Sequence, residues 1–224
     1  MITLDHVCAG YGDTTVIRDI SLTIKDDEIL TVVGPNGAGK STVLKAILGI
    51  AKVTHGSIKI NGEDVTGGKA SSLIAKGVSY LPQGSHVFPS LTVKENLELG
   101  AKEKSLDEMY EMFPSLYEKK TQPAGTLSGG QQHMVGMARC LLQAPDLLLL
   151  DEPSAGLAPR IVEDVFETIR TIHEENTGIL LIEQNTTRAI RFSDRTIVLE
   201  NGEIALQGGE DLLENDKIKD IYLR

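Results

Sequence analysis

Residues 34–42, Gly-Pro-Asn-Gly-Ala-Gly-Lys-Ser-Thr, constrain this chain more than any other stretch. They fit the pattern G-x-x-x-x-G-K-[ST], and their surroundings suit it. Before them runs Ile29-Leu30-Thr31-Val32-Val33, apolar and β-branched, which reads as a buried strand. After them Val43, Leu44, Ile47 and Leu48 recur at helical spacing. A strand, a glycine turn and a helix start aim several backbone N–H groups into one concavity, where the helix N-terminus adds partial positive charge. Such a nest binds phosphate oxygens without any side chain. Gly34, Pro35, Asn36, Gly37, Ala38 and Gly39 form the turn, and Thr42 closes the motif. Lys40 is placed to reach the β- and γ-phosphates of a nucleotide, and the Ser41 hydroxyl to ligate Mg²⁺. Without the flanking strand and helix, the same residues would read as a glycine-rich turn with no ligand.

The rest of the chain supplies the frame for such a loop. The first ~35 residues alternate apolar and polar, with turns at Gly10, Gly12 and Lys25-Asp26-Asp27, and predict antiparallel strands leading into the loop. Gly56 to Ile60 is a further strand with a turn at Asn61-Gly62; 69–76 is helical, and Val78 to Leu81 strand-like. From about 86 to 143 the pattern is mostly helical, with Thr92 capping a helix through Gly100, Ser105 one through Phe113, and Ser128 a long one to Gln143. Leu147 to Leu150 is a strand, 159–175 a helix and Gly178 to Ile182 a strand, followed by short strands near 195–200 and 203–207 and a helical tail over 209–223. Strands alternating with helices imply an α/β core with a parallel sheet, interrupted by the helical block.

The strand Leu147-Leu148-Leu149-Leu150 ends in Asp151-Glu152. Ligands of parallel α/β sheets sit at the carboxyl ends of strands. Asp151 therefore arrives where Mg²⁺ belongs, and Glu152 can polarise a water for in-line attack on a γ-phosphate. Alone, the pair would read as two solvated acids at a strand end. Leu127-Ser128-Gly129-Gly130-Gln131-Gln132 also has two readings. Ser128 with Gln131 fits a capping box, and Met134, Met137 or Ala138, and Leu141 then form a buried helix face. That account leaves two glycines in the first helical turn, where they weaken a helix. They make sense if a ligand approaches the bare N–H groups, which would make this a second helix N-terminus offering donors to phosphate.

Leu-Ser-Gly-Gly-Gln at 127–131, followed by Leu-Leu-Leu-Leu-Asp-Glu-Pro at 147–153, resembles the signature and acidic motifs of ABC-transporter ATPases. The resemblance covers essentially the whole chain. It implies a P-loop NTPase cassette of α/β class: a mostly parallel sheet core, an antiparallel β subdomain and an inserted helical lobe. Residues 1–224 would then form one ATPase domain, with 1–85 and 144–224 as core and 86–143 as lobe. It implies ATP and Mg²⁺ as ligands. Tyr11 matches the aromatic that stacks on adenine, a residue otherwise ordinary filler. Gln83 matches the glutamine that touches Mg²⁺ and links core to lobe; after Pro82 it would otherwise be a turn residue. The family pairs two subunits head to tail, so that Ser128, Gly129, Gly130 and Gln131 of one face the ATP held by Lys40 of the other.

Glu152-Pro153-Ser154-Ala155-Gly156-Leu157-Ala158-Pro159 and Leu181-Ile182-Glu183-Gln184-Asn185 look like the ATP-binding subunits of branched-chain amino-acid importers. So do Glu200-Asn201-Gly202 and the tail ending Asp220-Ile221-Tyr222-Leu223. The related amide and urea importers share these features. Gln184 stands where most ABC members have a switch histidine, and Ala158 where many have an aspartate; both replacements occur in the branched-chain subgroup. Gln184 can donate a hydrogen bond but cannot carry a proton charge as histidine does.

Composition narrows the partners. The net charge of −10 argues against a nucleic-acid surface, which needs clustered Lys and Arg. Two cysteines, Cys8 and Cys140, make no framework spacing and read as reduced, buried thiols. The N-terminus shows no basic region followed by an apolar run, and no stretch approaches the ~20 apolar residues of a membrane helix. The resemblance therefore implies a chain on the cytoplasmic face of the cell membrane, bound to an integral-membrane permease and a second ATPase subunit, identical or not. It would serve an extracytoplasmic solute-binding protein indirectly. The stretch Gly84 to Leu99, with Val87, Phe88, Pro89 and Leu91, is the expected docking surface, or else lobe core. The competing functions are a soluble ABC ATPase acting without a permease and a non-catalytic nucleotide-binding regulator. The first usually carries tandem cassettes or long insertions, absent here, and Glu152 argues against the second.

Overall fold

The computed structural model describes residues 1–84, 87–101 and 103–222. Two sheets organise it. β1 (Ile2–Tyr11), β2 (Thr14–Ile24), β4 (Lys52–Ile60) and β5 (Glu63–Asp64) form an antiparallel sheet in the order β2-β1-β4-β5. The other sheet has six strands, β10-β9-β3-β8-β7-β6, built from β3 (Ile29–Val33), β6 (Val78–Leu81), β7 (Leu147–Asp151), β8 (Gly178–Ile182), β9 (Arg195–Glu200) and β10 (Glu203–Gly208). All its pairings are parallel except β9 with β10. The α/β class with a mostly parallel core and an antiparallel sheet is thus as expected.

The strand before the phosphate loop corrects one expectation. Residues 29–33 do not continue the antiparallel run; β3 crosses to the second sheet and lies parallel between β8 and β9. All five of its residues are buried. A strand covered on both faces reads as a continuous apolar run, whereas β1 and β2 alternate because one face is exposed.

Alternation along each central strand divides the core. Leu147 and Leu149 of β7 point to one side, with Leu30, Val32, Leu180 and Ile182, and pack on the antiparallel sheet and on α1 (Lys40–Ile47). Leu148 and Leu150 point to the other side, with Ile179 and Leu181. There they meet α3 (Val93–Glu98), α4 (Leu106–Met112), α5 (Pro114–Glu118), α6 (Gly129–Leu141) and α7 (Pro159–Glu174), α2 (Ala70–Ile74) lying earlier in the chain. A smaller cluster joins Val33 and Val198 to α8 (Thr186–Phe192) and α9 (Asp216–Tyr222).

Capping placed three helices where the sequence puts them. Thr92, Ser105 and Ser128 each accept from the N3 backbone N–H while Glu95, Glu108 and Gln131 reach back, so all three are complete capping boxes. The helix after Ser105 stops at Met112, because Pro114 begins a separate one. Gly56 lies inside β4 rather than opening it, at a bulge opposite β1. α8 had no counterpart in the sequence reading: two β-branched threonines open it, and only the Asn185 side chain, accepting from Arg188 N–H at 3.0 Å, marks its start. Both cysteines are free; Cys140 is buried, with burial pushing its thiol up to about 12, but Cys8 is only half-buried. No described helix is long and apolar enough to cross a membrane.

Candidate active site

The end of β3 and the start of α1 carry the glycine loop, and two positions in it admit nothing but glycine. Gly34 lies at φ 154, where a Cβ would come within 2.3 Å of the Leu199 carbonyl oxygen. Gly39 takes a left-handed conformation at φ 100, and its Cβ would meet Ile17 Cγ2 at 2.7 Å. Gly39 is the N-cap of α1 and offers no side-chain cap, so the first N–H groups of that helix have no side-chain acceptor from the cap. A cleft of about 190 Å³ opens beside them, lined by Asn36, Gly37, Gly39, Lys40, Ser41 and Glu152 with Val16 and Thr42.

Lys40 is 5% exposed, and its ammonium donates to the carbonyls of Gly34 (2.9 Å) and Pro35 (3.2 Å). Burial pulls its pKa down, and the charges of Glu152 and Asp151 push it back up. Glu152 Oε1 lies 4.0 Å from Nζ. A buried cation against a glycine-walled cleft fits a multiply charged phosphate. β7 and β3 are separated only by β8, so the two strand ends converge: Ser41 Oγ donates to Asp151 Oδ1 at 2.8 Å. Tyr80, at the end of β6, donates its hydroxyl to Asp151 Oδ2 at 3.4 Å, and burial followed by the Asp151 charge raises its pKa. Gln83 Nε2 donates to Glu152 Oε2 at 2.7 Å. No cluster of three or more His, Cys, Asp or Glu suited to a metal occurs among the described residues. Ser41, Asp151 and Gln83 instead offer a few hard oxygens next to the phosphate cleft, which suits Mg²⁺ because it keeps waters and phosphate oxygens rather than filling an all-protein cage.

Glu152 itself adopts φ 49, unusual for a residue with a side chain, and its N–H donates to Ile182 O at 3.0 Å. At the end of the neighbouring β8, the exposed Gln184 donates from Nε2 to Asn36 Oδ1 at 3.0 Å. The structure therefore gathers Asn36, Gly37, Lys40, Ser41, Gln83, Asp151, Glu152 and Gln184 about one cleft. Tyr11 sits 43% exposed at the end of β1, paired across the strand turn with Thr14. Ser128 to Gln131 stand apart: their hydrogen bonds close the capping box, and Gly129 and Gly130 face Leu157 and Ile161 rather than the phosphate loop. Sequence reasoning passed over Val16, Tyr80, Ser154 and Glu183. Of these, Ser154 and Glu183 carried a signal, both lying in the stretches that resemble the importer subunits, and Glu183 also as a charged residue directly continuing the apolar run 178–182.

Over residues 17–155 the sequence matches the ABC transporter family. It is 42% identical to the high-affinity branched-chain amino acid transport ATP-binding protein BraG of Pseudomonas aeruginosa, covering all of this chain and 99% of the relative. To the probable branched-chain amino acid transport ATP-binding protein LivF of Archaeoglobus fulgidus it is 39% identical, covering 96% and 95%. Among solved structures, the ADP conformation of MJ1267, an ATP-binding cassette of an ABC transporter, superposes with a TM-score of 0.89 at 26% identity, covering 100% and 98%. The chain belongs to the ABC transporter family, as one of its nucleotide-binding ATPase subunits.

Proposed function

We propose that this ATPase powers uptake of amino acids, branched-chain ones first among them, through a membrane permease. The observation that carries the catalytic half is the meeting of Lys40, the Ser41–Asp151 pair and the Gln83–Glu152 pair at one glycine-lined cleft. Lys40 and the loop N–H groups bind and orient the phosphates. Ser41, Asp151 and Gln83 would hold Mg²⁺, which when bound would supply positive charge to neutralise the phosphates. Glu152 orients and deprotonates the attacking water, and Gln184 supplies one hydrogen bond near the γ-phosphate. Tyr11 stacks on the adenine. Ser128, Gly129, Gly130 and Gln131 complete the cleft of a second subunit, a role supported by their position away from this chain's own phosphate loop.

The amino-acid half rests on the near full-length likeness to BraG and LivF. We take residues 86–143 as the lobe that receives the permease. A groove of about 210 Å³ at the border of core and lobe, lined by Leu48, Ile50, Ile74 and Tyr80 of the core and Arg139 of the lobe, supports docking along that border, because Ile50 and Ile74 are exposed. Phe88 is exposed too and lies under the Arg139 guanidinium at 5.3 Å, whereas Val87 packs into the core. Ser85 and His86, within the same expected surface, and Leu223 of the tail lie outside the described residues. The test is reconstitution with its membrane permease in vesicles loaded with ATP. Leucine, isoleucine or valine uptake that requires ATP supports the proposal; hydrolysis with no amino-acid uptake, or failure to co-purify with any membrane protein, overturns it.

A further inference from the structure

Glu183, at the carboxyl end of β8, is 1% exposed and has no part in the roles above. Its surroundings are specific. Oε1 accepts the Ser154 N–H at 3.3 Å, and Oε2 accepts the Ser154 hydroxyl at 2.9 Å and the Gln184 N–H at 3.2 Å. The groups acting on it are these donors, its burial and the Glu152 charge, with no cation among them. Two backbone N–H groups, which can only donate, and the Ser154 hydroxyl thus fill both oxygens of a carboxylate as acceptors. Its pKa lies above the ordinary carboxylate value: burial is the largest cause, the Glu152 charge adds to it, and the hydrogen bonds from Ser154 and Gln184 oppose it without cancelling it. A buried charge without a counter-charge is costly, and an apolar residue would end this strand more cheaply.

The two segments it joins are the ones that matter for hydrolysis. Ser154 belongs to the turn that opens with Glu152, where Ala155 N–H donates to the Glu152 carbonyl at 3.1 Å and Glu152 holds φ 49. Gln184 reaches Asn36 of the phosphate loop. We propose that Glu183 is a positioning residue: its carboxylate braces the Glu152–Ser154 turn against the Gln184 segment, so that the acid and the amide are held as one unit over the phosphate loop. The proposal rests on the roles assigned to Glu152 and Gln184 above.

Glu183→Gln tests it at constant volume. In either orientation of the new amide, its NH₂ faces one of the two backbone N–H groups, which loses its acceptor. In the nucleotide-free protein, hydrogen exchange at the Ser154 or Gln184 amide should quicken by roughly tenfold or more, as expected for losing a bond to a charged group. The same loss should lower kcat by about tenfold to a hundredfold while nucleotide Kd stays within about threefold. Ser154→Ala should lower kcat by about threefold to tenfold. Added to Glu183→Gln it should cost less than the product of the two, because both act through one brace. Unchanged exchange, unchanged kcat, or a Kd that weakens in step with kcat overturns the brace. Glu152→Gln in the same assay separates the two levels. If it keeps full turnover, the underlying assignment fails; if it is inactive while Glu183→Gln is not, only the brace fails.

Discussion

The helices α1 and α6 both begin with glycines in the first turn or just before it, and they end up in opposite situations. α1 begins after Gly39, which gives no side-chain cap, and its first residue, Lys40, is buried among the site's acids. α6 begins after Ser128 with a complete capping box, and Ser128 and Gly129 are exposed. The α1 start is wired inward: Ser41 to Asp151, Lys40 to the loop carbonyls and toward Glu152. At the α6 start the Ser128 and Gln131 bonds close on each other, and Gln132 reaches back only to Ala124 and Leu127 among the described residues. One terminus has no side-chain cap, and a phosphate is the partner proposed to complete it. The other is finished as a helix, and its exposed Gly129 is left open on the surface, which is why the proposed function gives it to a second subunit. On the proposed function the chain carries two halves of a site and holds only one of them assembled.

That contrast can be broken by mutation. The largest effect is expected at the acid wired to the α1 side. Glu152→Gln should cut turnover by ~10²–10⁴, as for a lost general base, and still bind nucleotide. Phosphate release against fluorescent-nucleotide titration checks it, with gel filtration in ATP showing an accumulated dimer; a monomeric, active variant would make Glu152 structural. Lys40→Ala should lower kcat/KM by roughly 10²–10³, the range for removing a preorganised charge-stabilising donor. Here nucleotide affinity should fall as well, which sets it apart from Glu152→Gln, and full turnover would remove the phosphate-loop assignment.

Ser128→Arg probes the other terminus. It should leave nucleotide binding by the isolated chain unchanged and lower hydrolysis by roughly 10², the scale of a misplaced reacting group. If the isolated chain loses nucleotide binding instead, the α6 start matters to folding and the contrast drawn here collapses. The mildest effect belongs to Gln184→Ala. Loss of one neutral hydrogen bond predicts a threefold to tenfold drop, or ~0.5–1.5 kcal/mol, with Gln184→His retaining activity. Steady-state rates with the cognate permease decide it, and a fall to the Glu152→Gln level would show that Gln184 does far more than offer one bond.

Local chemistry was legible wherever neighbours in sequence do the work. Glycine content, capping residues and hydrophobic period are properties of a few adjacent residues, so the phosphate loop, the three N-caps, the capping box of Ser128 with Gln131 and the acid-ended strand β7 could be read directly from the chain. α8 was not legible, because seven residues opening with two threonines carry little helical signal of their own. Strand partnership was not legible either. Ile29–Val33 looks the same whether it pairs with β2 or, as it does, lies between β8 and β9.

What the chain alone determined is the set of parts: a phosphate loop between strand and helix, two acids at a strand end, and a glycine-opened helix. Each follows from backbone preference and side-chain period over a handful of residues. Only the tertiary structure decided which parts meet. Parallel packing brings the ends of β3, β7 and β8 side by side, so that Ser41 touches Asp151, Gln184 touches Asn36, and Glu183 is buried between Ser154 and Gln184. Those contacts join residues that are far apart in the chain or that look unremarkable there. Their pairing is set by sheet order and by which face each strand buries, a property of the packed core as a whole rather than of any segment of it.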